Sequence, residues 1–149
     1  MSKIKNAQLL GNLIFEILPI CQRKETELAD EHGLLQAEFK CLRLMGSDGS
    51  LNNKDLAKRM NLSASRITRI MDGLVKKGYM QREIDKGDRR YMEISLSRRG
   101  KNLTNKLNDA LIEIHKEILQ NIDTSQHKSL ITNMEHLHSA IEKWLQKPR

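Results

Sequence analysis

Apolar residues recur at helical spacing along most of the chain. From about Ala7 to Asp30, residues Leu10, Ile14, Ile17, Leu18, Cys21 and Leu28 follow that period and predict an amphipathic helix. Pro19 sits inside it and predicts a kink or a break, because proline removes a backbone donor and crowds the preceding turn. Gly33 punctuates the chain next. A second helix is expected from Leu35 to Met45, with Leu35, Phe39, Leu42 and Met45 on a similar face. The cluster Gly46-Ser47-Asp48-Gly49 stops it.

Two short helices with an abrupt joint come next. Asn52 can cap the first, placing Asp55 near its positive end, and Leu56, Ala57 and Met60 form the inner stripe. Asn61-Leu62 makes the turn, and Ser63 caps a helix that buries Ile67, Ile70, Met71 and Leu74. It ends near Lys77 at Gly78, a residue type suited to the position just past a helix. Helix, tight turn and helix of these lengths define a helix-turn-helix over about 52–77. Alternation in Tyr79–Ile84 and Tyr91–Leu96, clearest at Met92, Ile94 and Leu96, predicts a hairpin over about 79–96. Its connection, Asp85 to Arg90, is too charged to bury.

Two long amphipathic helices form the tail. Leu103, Leu107, Leu111, Ile114 and Ile118 mark the first. Asp123 with Gln126 three residues later offers a capping box for the second, whose stripe is Leu130, Met134, Leu137, Ile141 and Trp144 or Leu145. Stripes that flank a small charged module lack a partner within the chain and call for a second copy. The expected fold class is therefore mainly α with a small β-hairpin wing (α+β). One domain spans 1–149: a winged helix-turn-helix at 35–100, with dimerisation helices at 1–32 and 101–149.

Composition removes whole classes. No apolar run among the 149 residues approaches the ~18 that a membrane-spanning helix needs. The opening MSKIKNAQLL lacks the apolar core and cleavage site of a secretory signal, so a soluble cytoplasmic protein is expected, without membrane contact. Two cysteines are too few for a disulfide framework or a cysteine-built zinc site.

Charge sharpens the picture because it is concentrated. Fourteen Lys/Arg and six Asp/Glu between Leu51 and Lys101 give that segment +8, whereas the remainder carries −1. Such a segment attracts a polyanion, since neutralising phosphates releases condensed counterions. Winding the helix from Ser63 at 100° per residue sets Ile67, Ile70, Met71 and Leu74 on one side. Its outward face near the start is Ser65, Arg66, Thr68 and Arg69. Early residues of the second helix in this motif reach base edges in the major groove, and arginine pairs bidentately with guanine. The hydroxyls of Ser63 and Ser65 suit phosphates at a helix start. Asp72 and Lys76 lie further along and are expected to be solvated or to face the DNA backbone. In the wing, Asp88 and Arg90 are two apart and share a side of an extended strand, so the carboxylate can orient the guanidinium for the minor groove.

Order and residues together resemble the MarR family of winged-helix regulators. The stretch Leu62–Leu103 carries the shared features: Leu74 to Gly78 as L-x-x-K-G, Arg82 as the arginine after the first wing strand, Asp88-Arg89-Arg90, and Leu96 to Gly100 as L-S-x-x-G. The resemblance implies that Arg90 enters the minor groove with Asp88 as its orienting partner. It likewise implies that Ser63, Ser65, Arg66, Thr68 and Arg69 form the major-groove set. A homodimer on a pseudo-palindromic operator, usually repressing and released by a small ligand, is also implied. An aromatic or phenolic effector would enter a crevice between the dimer helices and the reader module. Peroxide-sensing members have a reactive cysteine where this chain has Ile14, and Cys21 and Cys41 are read as buried thiols. His136 and His138 diverge on a helix and His115 lacks a second histidine one turn on, so they are read as surface residues and no metal or cofactor is expected. A nonspecific architectural or RNA-binding protein is the competing reading. With 3% aromatic residues it lacks the stacking platforms that single-stranded RNA requires. No nucleophile–base pair or glycine-rich phosphate loop suggests an enzyme.

Overall fold

A computed structural model describes residues 2–46, 50–84, 87 and 92–148. It divides into two compact units, Met1–Asn108 and Asp109–Arg149. The first opens with α1 (Lys3–Glu31), capped by Ser2, whose hydroxyl accepts from Lys5 N at 3.1 Å. Pro19 does not end this helix as expected. Proline forfeits one intrahelical bond, and the turns on either side of it keep theirs. Along α1 the large apolar residues from Ile4 to Ile20 are exposed in the single chain, Phe15 at 81%, and burial begins only at Leu28 and Ala29. Cys21 is half-buried rather than buried.

After Gly33, at φ 67°, comes α2 (Gln36–Met45). Leu35 caps α2 and is exposed rather than sharing the face of Phe39, Leu42 and Met45. The cap position has extended backbone, which turns the side chain away from the helical stripe. A strand that the pattern did not signal follows, β1 (Ser50–Asn52). Three residues wedged between a turn cluster and a helix cap are too few to alternate visibly. Next come α3 (Asn53–Met60) and α4 (Ala64–Lys76), joined through Asn61, which adopts a left-handed φ of 54°. Asparagine tolerates that region better than most residues, so a tight turn fits here.

The wing strands are β2 (Met80–Ile84) and β3 (Met92–Leu96). With β1 they form an antiparallel sheet of order β1-β3-β2. Ile94 is the shared register point, opposite Leu51 on one side and Arg82 on the other. The wing-tip residues Asp88, Arg89 and Arg90 lie outside the described residues.

The core of this unit gathers Phe39 and Leu42 from α2, Leu56 from α3, and Ile67, Met71 and Leu74 from α4. Met80, Ile94 and Leu96 close it from the sheet. The helix-turn-helix is thus held by one continuous apolar centre. Of the expected inner residues, Ile70, Ala57 and Met60 are only half-buried.

The division between units falls within α5 (Arg98–Leu119). In the second unit, Ile114 is half-buried and Ile118 exposed. Asp123 does not form the expected capping box with Gln126. Its carboxylate accepts from Ser125 N and Ser125 Oγ, both at 3.1 Å, and starts a short 3-10 turn, Thr124–Gln126. Those bonds hold its carboxyl below the ordinary value. His127 then opens α6 (His127–Gln146), and its Nε2 lies 2.9 Å from both Leu119 O and Ile122 O. It thereby satisfies carbonyls that the end of α5 leaves open. On α6, Leu130 and Leu137 are half-buried, whereas Met134, Ile141, Trp144 and Leu145 are exposed.

Candidate nucleic-acid interface

Helix α4 is built to expose its first two turns. Ser63 Oγ accepts from Arg66 N at 3.3 Å and lies 3.2 Å from Ser65 Oγ. Thr68 Oγ1 donates to Ala64 O at 3.0 Å. Ser63, Ser65, Arg66, Thr68 and Arg69 are all exposed, while Ile67, Met71 and Leu74 are buried. The structure therefore brings the five expected α4 residues to one free surface. Neither Arg66 nor Arg69 has a carboxylate partner among the described residues. Unpaired guanidiniums at a helix start, beside free amides and hydroxyls, suit anionic phosphate and base-edge acceptors.

Asp72 departs from the expectation. It forms an ion pair with Arg82. Arg82 lies within β2 rather than after it, so this pair ties the recognition helix to the first wing strand. The two groups are ten residues apart in a helix and a strand, and helical spacing alone could not reveal the pair.

Three further contacts fix the far end of α4. Gly78, at φ 83°, closes the helix: its N–H donates to Val75 O at 3.0 Å and Tyr79 N–H to Leu74 O at 2.9 Å. Lys77 Nζ donates to Gly33 O at 2.8 Å and to Glu38 Oε1 at 2.6 Å. Glu38, only 1% exposed, also accepts from Leu35 N at 2.8 Å. One carboxylate thus caps α2 and anchors the end of the recognition helix. Gly73 gives it room, because a Cβ there would stand 2.5 Å from Glu38 Oε2.

Ser97 explains the L-S-x-x-G pattern. Its Oγ donates to Gly78 O at 2.6 Å and accepts from Gly100 N at 3.0 Å, while its own N–H donates to Tyr79 O at 3.1 Å. Arg99 lies over the Tyr79 ring at 5.2 Å from its centre. The start of α5 is thereby stitched to the end of α4.

Cys41 sits beneath this framework, with Sγ 3.7 Å from Met71 Sδ. Burial first, and the Glu38 carboxylate second, push its thiol up to about 12. Thiolate is the reactive form, so Cys41 is inert. We expect a thiol reagent at pH 8 to leave Cys41 unlabelled until the chain is unfolded; mass spectrometry of native and denatured samples checks this. Labelling at equal rates in both would contradict the burial.

Helix, tight turn, exposed cationic helix and antiparallel wing define a winged helix-turn-helix of the kind used by transcription regulators. The MarR family profile matches residues 34–92. The HTH-type transcriptional regulator SarZ of Staphylococcus epidermidis is 30% identical over 114 residues, covering 76% of each chain. The structure of a MarR family protein from Bacillus stearothermophilus superposes with a TM-score of 0.86 at 16% identity, covering 95% of this chain and 99% of that one. The transcriptional regulator BldR from Sulfolobus solfataricus gives 0.73 at 24% identity, covering 94% and 99%. The chain belongs to the MarR family of transcriptional regulators, a family that binds DNA. Among the described residues no helix is long and apolar enough to cross a membrane.

Proposed function

We propose that two copies of this chain bind a pseudo-palindromic operator, repress transcription there, and let go when a small aromatic or phenolic ligand binds. The observation that carries this reading is the exposed cationic start of α4, with Arg66 and Arg69 unpaired among the described residues. Ser63, Ser65, Arg66, Thr68 and Arg69 would line the major groove; Asp88, Arg89 and Arg90 would serve the minor groove. The reader spans 35–100, and 1–32 with 101–149 form the dimer. Exposed apolar residues along α1 and α6 support the second copy, since a free monomer rarely keeps so many on one element. Such a regulator works in the cytoplasm, where its DNA is.

Two measurements test this. Sedimentation equilibrium should give twice 17.2 kDa at micromolar concentration; a monomer there contradicts the dimer. Arg69→Ala should flatten preference at one operator position, costing about 1–3 kcal/mol against the best site and little against others. Equal loss on every sequence would reduce Arg69 to a phosphate contact.

A further inference from the structure

A groove of about 580 Å³ lies between the end of α1, α2, α3 and the start of α4, wholly inside the first unit. Its walls carry Lys40, Arg43, Arg59 and Arg66 against a single acid, Glu25. Glu25 already accepts from Arg43 at 3.1 Å. Lys40, Arg59 and Arg66 have no carboxylate partner among the described residues. Leu44, Met60 and Leu62 supply an apolar part of the same wall. The volume falls in the range of small-molecule sites.

We infer that this groove binds a small dianion with a compact apolar body, in chemical terms an aryl phosphate monoester or an aryl dicarboxylate. Three unopposed cations facing one space repel each other, and a doubly charged ligand relieves that repulsion better than a single carboxylate. The apolar wall sets a requirement that inorganic phosphate cannot meet. Arg66 belongs both to this wall and to the outward face of α4. One guanidinium cannot hold a ligand in the groove and pair with DNA at once, so occupancy opposes DNA binding. This rests on the reading of the chain as a ligand-released DNA binder, and it gives that release a residue and a ligand class. By reciprocity, DNA must weaken the ligand by the same factor that the ligand weakens DNA.

Phenyl phosphate is the probe, with inorganic phosphate, benzoate and benzyl alcohol beside it. Titration calorimetry without DNA should show phenyl phosphate binding more tightly than all three. Lys40→Met and Arg59→Met should each weaken it roughly tenfold, with thermal unfolding unchanged. Saturating phenyl phosphate should then raise the operator Kd of the native chain by roughly five- to 150-fold, and Lys40→Met should need proportionally more ligand for the same effect. Equal binding of benzyl alcohol, or no binding by phenyl phosphate while the operator still binds, overturns the inference and leaves the DNA reading standing. A Lys40→Met protein whose DNA affinity loses about one unit of salt slope would place a DNA phosphate in the groove instead, and also overturns it. Absence of operator binding altogether is the failure of the earlier reading, and calorimetry without DNA still decides the groove.

Discussion

Lys77→Met is expected to cost about 3–5 kcal/mol of stability at neutral pH. The loss comes from what the substitution leaves behind. Glu38 is 1% exposed, and its carboxylate is shared between Lys77 Nζ and the Leu35 amide. Without the ammonium, a buried charge keeps one neutral donor and cannot reach water. Lys77 itself is part-exposed, so Glu38→Gln alone leaves a cation that solvent can reach and should cost less. Combining the two changes should therefore return much of the loss, and a double-mutant cycle in urea measures it. A Lys77→Met protein within about 1 kcal/mol of the native chain would show that the pair bears little on stability. The consequence for function is positional. Lys77 is the C-cap of α4, and Glu38 belongs to α2, so this bond fixes the end of the recognition helix against the helix behind it.

Gly100→Ala is the second large effect. A Cβ at Gly100 would run into the Tyr79 carbonyl, with Tyr79 C at 2.9 Å and Tyr79 Cα at 3.3 Å. Both are backbone atoms held by Ser97 and Gly78, so no side chain can swing aside. Relief requires parting the start of α5 from the end of α4. Such overpacking costs about 3 kcal/mol. For a chain of this length that is a fall in Tm of roughly 6–12 °C. Ordinary helix propensity has the opposite sign, because alanine is favoured over glycine by about 1 kcal/mol in an open helix. An unchanged or raised Tm would mean that the close approach does not constrain the fold.

These two sites also show where sequence reasoning stops. The apolar period located α1 to α6 within a few residues, since each helix must turn one face inward. Gly78 and Ser63 were legible as caps because backbone chemistry restricts those positions to few residue types. The Glu38–Lys77 pair was not legible: its members are 39 apart, and one reads simply as a polar residue in the first turn of α2. Gly73 gave no hint either, because a mid-helix glycine explains itself only when the Glu38 carboxylate is seen over it. β1 was too short to alternate, and Pro19 was overweighted against a 29-residue helix. Asp123 was paired with the wrong partner, since an Asp–x–x–Gln spacing does not separate an α-helical start from a 3-10 turn. The exposed α4 residues were placed correctly because winding a helix about its buried stripe fixes the opposite face as well.

The central claim concerns geometry as much as charge, because two basic helices joined by a dyad must address successive turns of one duplex. Selection of bound duplexes from a random pool at about 150 mM salt, where the Debye length is near 8 Å and loose attraction is screened, tests it most directly. The account predicts enrichment of an inverted repeat whose half-site centres are about 10 base pairs apart. Recovery of sequences no different from the starting pool, with affinity governed by salt alone, would contradict it.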